Sequence, residues 1–188
     1  MMVAINEQNR HHPNLRRGIF VGRFQPPHKG HLGAIKRILK KVQELVIIVG
    51  SSQYSHRLNN PFTTGERITM IRKALEEDGI QPSRCWIIPV PDVHLHMLWV
   101  SQIVGYSPKF EVAYTNEPLT RRLLVEAGFK VEPVPFIKRK IYSATEIRKR
   151  MLNRENWEEL VPRSVGRFIK EIDGVERLRD LTKTDAVT

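Results

Sequence analysis

The chain has 188 residues, enough to bury one substantial core but not two, and a hydrophobic fraction of 40%, ordinary for a globular protein. No apolar run approaches the ~20 residues a membrane span needs, and no signal-type h-region opens the chain, so it reads as soluble and cytoplasmic, without a membrane partner. Its formal charge of +11 selects for anions without saying which, and the scattered basic residues lack the alternating aromatic pattern of an RNA-recognition strand, which argues against nucleic acid.

Residues 1–16 are polar and without apolar period, and read as a flexible extension. Gly18-Ile19-Phe20-Val21-Gly22 is a short apolar run ending in glycine, the form of a buried parallel strand. Leu32, Ile35, Leu39 and Val42 recur at helical spacing between basic residues and predict an amphipathic helix. Leu45–Gly50 is a second buried strand, and the polar stretch 51–61 is too long for a mere connection. Thr63-Thr64-Gly65-Glu66 fits a capping box opening a helix that Gly79 ends.

Further on, strands are expected over 86–90, 111–115 and 131–136, and helices from Met97 to Val104 and from Pro118 to Ala127. Ser143-Ala144-Thr145-Glu146 reads as a second capping box, and a further amphipathic helix runs from Ser164 to Ile172. This alternation predicts an α/β fold: a doubly wound, Rossmann-like parallel sheet of about five strands, helices on both faces and a helical C-terminal end. The expected domain spans 17–178, with a frayed tail over 179–188. The single cysteine, Cys85, lies in an apolar run and reads as a core thiol.

Ligands of such sheets gather at the carboxyl ends of the strands. There lies Gly22-Arg23-Phe24-Gln25-Pro26-Pro27-His28-Lys29-Gly30-His31, joining the first strand to the first helix. The glycines permit close backbone approach, the helix start offers unpaired amides, and His28 and His31 share a side from which both can donate to phosphate; Lys29 adds charge nearby. Zinc is a competing reading of the two histidines, but a ligand set lacking Cys, Asp or Glu is incomplete, so no protein-bound metal is expected.

Together with Gly50-Ser51-Ser52-Gln53, Asn60–Arg67, Pro89–Trp99 and Tyr142–Arg148, this segment resembles the nucleotidyltransferases with a His-x-Gly-His signature. Among them it is most similar to the archaeal type of nicotinamide-nucleotide adenylyltransferase, over residues 17–178. The resemblance implies attack of an acceptor 5′-phosphate on the α-phosphorus of ATP. Nicotinamide mononucleotide (NMN) would be converted to NAD with release of pyrophosphate, Mg²⁺ accompanying ATP, in a homo-oligomer.

It assigns His28, His31 and Arg148 to catalysis, and Gly22, Arg23, Phe24, Gln25, Arg139, Ser143 and Thr145 with them to ATP. Gly50, Ser51, Asp92, His96 and Trp99 fall to NMN, Trp99 by stacking on the cationic ring. The chain departs from the family pattern at His96, where relatives carry Asn, and at Glu117, where they place Asn before Pro118. The basic residues near Arg57 also align loosely. Amide and acid forms of the acceptor stay open, as do transfer of AMP or CMP to another phosphorylated acceptor and a noncatalytic nucleotide- or nucleic-acid-binding role.

Overall fold

A computed structural model describes residues 16–93, 95–134 and 141–183. Five strands form one parallel sheet: β1 (Arg17–Gly22), β2 (Glu44–Val49), β3 (Cys85–Pro89), β4 (Val112–Tyr114) and β5 (Lys130–Glu132), in the order β3-β2-β1-β4-β5. β2 is apolar at five successive positions, Leu45 to Val49, because helices cover both faces of a central parallel strand. On one face α1 (Lys29–Ile38) and α2 (Thr64–Glu77) pack on Phe20, Leu45, Ile47 and Tyr114. On the other, α3 (His96–Tyr106) and α4 (Pro118–Glu126) pack on Ile19, Val46, Ile48 and Ala113.

The strand order turns back between β1 and β4, both of which pair with their neighbours in parallel. A crevice therefore opens at their carboxyl ends, and the Gly22–His31 segment leaves β1 directly into it.

Several boundaries differ from expectation. α1 stops at Ile38, short of Val42, because Gln43 and Glu44 turn their N–H groups to the carbonyl of Arg16 and begin the sheet. β5 ends at Glu132: Pro133 has no N–H to give, and the backbone of Val134 is bonded in both directions by the side chain of Asn116. Residues 135 and 136 lie outside the described residues, as do 1–15 of the expected extension.

The C-terminal part forms α5 (Ala144–Leu152), α6 (Arg163–Glu171) and α7 (Gly174–Asp180), with its own core of Ile147, Met151, Leu160, Val165, Ile169 and Leu178 against Met70 and Ala74 of α2. α7 reaches into the stretch expected to fray. It is short, yet Gly174 sits so close to Phe62 that a Cβ there would lie 2.7 Å from the ring, and Arg177 forks onto Glu66 at 2.7 and 2.8 Å.

The start of α6 has no cap of its own; the carboxylate of Glu77, at the end of α2, accepts from the N–H groups of Arg163 and Ser164 at 3.1 and 2.7 Å. Glu77→Ala should cost about 1 kcal/mol, the usual worth of an N-cap, and lower Tm by about 2–4 °C in a domain of this size, read by calorimetry. An unchanged Tm would show that water replaces the cap.

Candidate active site

The N-terminus of α1 is closed by its two histidines. Nδ1 of His28 accepts from the N–H of His31 at 3.2 Å, and Nδ1 of His31 accepts from the N–H of His28 at 3.3 Å. This is a reciprocal capping box with imidazoles in place of a hydroxyl and a carboxylate. With both Nδ1 atoms accepting, each neutral ring carries its proton on Nε2, so each offers one outward donor. The rings stack, centroids 3.6 Å apart, and Phe24 leans on His31 at 4.6 Å.

Burial lowers the pKa of His28 to about 4, and burial together with the neighbouring His28 holds His31 well below the ordinary value. Both are therefore neutral near pH 7. The sign of the linkage follows. Unfolded histidine takes up its proton near pH 6.5, whereas folded His28 resists until about pH 4. The stability is thus full above pH 6.5 and is lost as pH falls toward 4, by roughly 3 kcal/mol at about 1.4 kcal/mol per unit. His28→Asn keeps an acceptor for the cap but does not titrate. Its Tm should fall less steeply between pH 6.5 and 4 than that of the wild type; parallel curves would remove His28 as the source.

Gly30 is required by crowding: a Cβ there would lie 2.9 Å from Cβ of Tyr142 and 3.0 Å from Nδ1 of His28. That contact brings the start of α5 over the start of α1. Ser143 caps α5 by accepting from the N–H of Glu146, 3.1 Å away. The predicted box is only half formed, since Glu146 turns to Arg150 instead of reaching back. The Ser143 N–H donates instead to the carbonyl of Ile141 at 3.2 Å, and the hydroxyl, which accepts the cap, keeps its own proton to donate.

A cavity of about 260 Å³ lies between these two helix starts, lined by Arg23, Phe24, Gln25, His28, His31, Ser143, Thr145 and Arg148 among others. Two positive helix ends, two arginines and two neutral donors thus converge on one space, which is chemistry for a polyphosphate. Arg148 is 7% exposed and spends one N–H on the carbonyl of Gln25, 2.7 Å away. Burial, with Arg23 adding repulsion, lowers its pKa to about 10, so it stays charged. Lys29, expected beside the phosphates, points elsewhere: its ammonium donates to the carbonyl of Glu159 at 2.7 Å. Arg139 falls outside the described residues.

A second cavity, of about 630 Å³, contains the residues expected at NMN, Gly50, Ser51, Asp92, His96 and Trp99, and also Gly22, which was expected at ATP and does not line the smaller cavity. Its opposite wall is Thr115, Glu117, Leu119, Thr120 and Leu123, mostly from the start of α4. Asp92 is anchored to the loop after β2 by accepting from the N–H of Ser51 at 3.2 Å and exchanging bonds with the side chain of Gln53. Glu117 caps α4, accepting from Leu119 and Thr120, with Pro118 at the first helical position, so the unusual glutamate has a local structural reason.

Arg23 and His31 line both cavities. A group reaching from one to the other must pass them. Among the described residues no three His, Cys, Asp or Glu side chains cluster to hold a metal. A divalent ion carried on phosphate oxygens and water needs no such cluster, so the cavity between the two helix starts fits one bound together with a polyphosphate. Cys85 is half-buried, and burial raises its thiol to about 11, which leaves it inert. No described helix is long and apolar enough to cross a membrane.

Two features of the site escaped the sequence reading. Tyr142, from the segment that carries the resemblance, and Phe20, from the first strand, line the smaller cavity although no role was expected of either. Arg67 is fully buried beneath both cavities' shared wall, bonded to the carbonyls of Arg23, Gly50 and Ser51.

The cytidylyltransferase-like family model matches residues 19–150. Nicotinamide-nucleotide adenylyltransferase of Pyrococcus furiosus is 50% identical over 168 residues, covering 89% of each chain. The proteins of that name from Archaeoglobus fulgidus and Saccharolobus solfataricus are 50% and 48% identical, covering 90% and 91% of this chain and 99% of theirs. Among solved structures, a bifunctional NMN adenylyltransferase/ADP ribose pyrophosphatase from Francisella tularensis superposes with a TM-score of 0.77 at 22% identity. A second structure of a protein so described, complexed with AMP and a manganese ion, gives 0.69 at 24%. The chain covers only 53% and 52% of those two longer proteins, with which it shares the fold. By its match over most of its length, the chain belongs to the cytidylyltransferase-like proteins and, within them, to the nicotinamide-nucleotide adenylyltransferase family.

Proposed function

We infer that the protein transfers AMP from ATP to the 5′-phosphate of NMN, giving NAD and pyrophosphate. The observation that carries this reading is the meeting of a phosphate-type cavity with a larger, aromatic-bearing cavity at Arg23 and His31. ATP lies with its β- and γ-phosphates between the starts of α1 and α5, held by Ser143, Thr145 and Arg148. NMN lies against Gly50, Ser51, Asp92, His96 and Trp99, its phosphate toward the junction.

An acceptor oxygen attacks the α-phosphorus, the new O–P bond forms opposite the leaving oxygen, and the bond to the β-phosphate breaks. Little covalent work falls to the protein, so its residues position the two phosphates and stabilise charge. The Nε2–H groups of His28 and His31 donate to phosphate oxygens as neutral groups, which avoids the cost of burying two imidazolium ions side by side. Arg148 supplies fixed charge to the leaving pyrophosphate. A divalent ion, for which we propose Mg²⁺, would neutralise part of the triphosphate charge when bound with it.

Incubating the pure protein with ATP, Mg²⁺ and one acceptor at a time tests this. NAD and pyrophosphate are expected with NMN. A product only with another phosphorylated acceptor would move the protein to a different transferase, and no product with any would leave a nucleotide binder.

We further propose residues 17–178 as the transferase unit, a cytoplasmic location and a homo-oligomer. α3 supports the last: Leu98, Val104 and Tyr106 are about half exposed on a mostly apolar helix packed against α4. A monomer mass in light scattering would remove that proposal.

A further inference from the structure

Arg67 stands on the first turn of α2, yet none of it reaches solvent. All five of its N–H groups are used. Nε donates to the carbonyl of Thr63 at 3.3 Å; Nη1 donates to Arg23 and Gly50 carbonyls at 2.9 and 2.8 Å; Nη2 donates to the Ser51 carbonyl at 3.2 Å and to Oγ1 of Thr64 at 2.9 Å. No carboxylate is among these acceptors. Burying a cation this way is expensive, and a helix-start residue needed only for packing could be apolar. Burial and repulsion from Arg23 lower its pKa to about 10, with the charge of Asp92 opposing them, so it remains a cation.

Its acceptors sit on three separate segments: the end of β1, the turn after β2, and the start of α2. Three of them, Arg23, Gly50 and Ser51, line the larger cavity. Ser51 has a left-handed backbone, φ 51°, and is held from both sides, its carbonyl by Arg67 and its N–H by Asp92. Phe24, next after Arg23, is also left-handed at φ 53°. These turns are not conformations the chain adopts unaided, and Arg67 is the fastening they share.

We propose that Arg67 is a positioning residue for the transfer: it locks Arg23 and the Gly50–Ser51 turn so that the acceptor phosphate meets ATP in line. This rests on the adenylyl-transfer reading. The ATP side is fastened independently, by the histidine box, by Arg148 on the Gln25 carbonyl, and by the Gln25 side chain paired in both directions with the backbone of Phe62. Loss of Arg67 therefore loosens the acceptor wall at two points, Gly50 and Ser51, and reaches the ATP side only through the backbone of Arg23, which lines both cavities.

The test is steady-state kinetics of Arg67→Lys, Thr64→Val and Arg177→Met with ATP, Mg²⁺ and NMN. Lysine keeps the charge but cannot span three segments. It should lower kcat by at least about tenfold and raise the KM for NMN about fivefold or more, with the KM for ATP within about twofold, since misplacement near 1 Å has effects of this size. Thr64→Val removes one acceptor of Nη2 and the hydroxyl's own bond to the Ser52 carbonyl, leaving Arg67 in place. It should raise the KM for NMN by about two- to fivefold and leave that for ATP unchanged. Arg177→Met, which breaks the Glu66 ion pair at the same helix end, should lower Tm without moving either KM. Both KM values moving together in Arg67→Lys would overturn the proposal. Where that variant does not fold, an unchanged KM for NMN in Thr64→Val overturns it. Absence of NAD from the wild type would instead strike the functional reading itself, and this role with it.

Discussion

His31→Ala should reduce kcat by about 10²–10³, the usual cost of removing one preorganised donor from a developing oxyanion, while the protein stays folded. The side chain has two jobs in the structure. Its Nδ1 caps α1 through the N–H of His28, and the Nε2–H that this bond leaves protonated faces the place where both cavities meet. Two further variants separate the jobs. Asparagine places an acceptor where Nδ1 stood but offers nothing at Nε2; glutamine has one amide, which either caps, as the carboxylate of Glu66 does at the same position of α2, or reaches the Nε2 position, not both. His31→Asn should therefore keep the wild-type Tm and lose activity nearly as far as alanine does. His31→Gln should recover part of kcat only as far as its amide leaves the cap, at a cost of up to about 1 kcal/mol of stability. Asparagine as active as the wild type would make His31 a structural cap alone.

The same pair of histidines shows how far the sequence could be read. Their spacing of three, the flanking glycines and the preceding apolar run were sufficient to place them at a strand end beside a helix start, because strand, turn and cap are written in adjacent residues. Which nitrogen faces the ligand was not legible. It depends on the two rings capping each other, and a capping box is looked for in serine, threonine and glutamate. Lys29 fails for a related reason. It sits inside the motif, but a helix carries its neighbours 100° apart, and this one faces the carbonyl of Glu159 across 130 residues of sequence.

Arg67 was hidden by composition. On a helix that also carries Glu66, Arg72 and Lys73, an arginine reads as part of a solvated face, and only the long-range fold brings three carbonyl-bearing turns around it. α7 falls within the expected helical end but was not delimited there, because seven residues give too little periodicity; its place is set by Gly174 against Phe62 and by Arg177 on Glu66. The five-stranded parallel sheet, by contrast, follows almost directly from alternation and from the apolar runs of β1 and β2, whose residues have no polar face to offer water.

Trp99→Ala is expected to raise the KM for NMN by about tenfold or more while changing that for ATP little. The indole is half-buried. It touches the core formed with Val100 and Ile103, and it lines the larger cavity opposite the start of α4. An apolar core residue would cost its stability when truncated, about 3–5 kcal/mol for a fully buried tryptophan. A residue with one face free should cost clearly less, and its loss should instead appear in binding, since stacking of a base or a cationic ring is worth ~1–3 kcal/mol. The cationic ring also sets a direction for a second comparison. Trp99→Phe keeps a flat face with a weaker quadrupole, so its KM should fall between wild type and alanine, and the reduced, uncharged dihydronicotinamide mononucleotide should lose less on either substitution than the oxidised nucleotide does. If both nucleotides lose equally, the indole acts by shape alone, and if Tm collapses with KM unchanged, Trp99 belongs to the core and not to the acceptor.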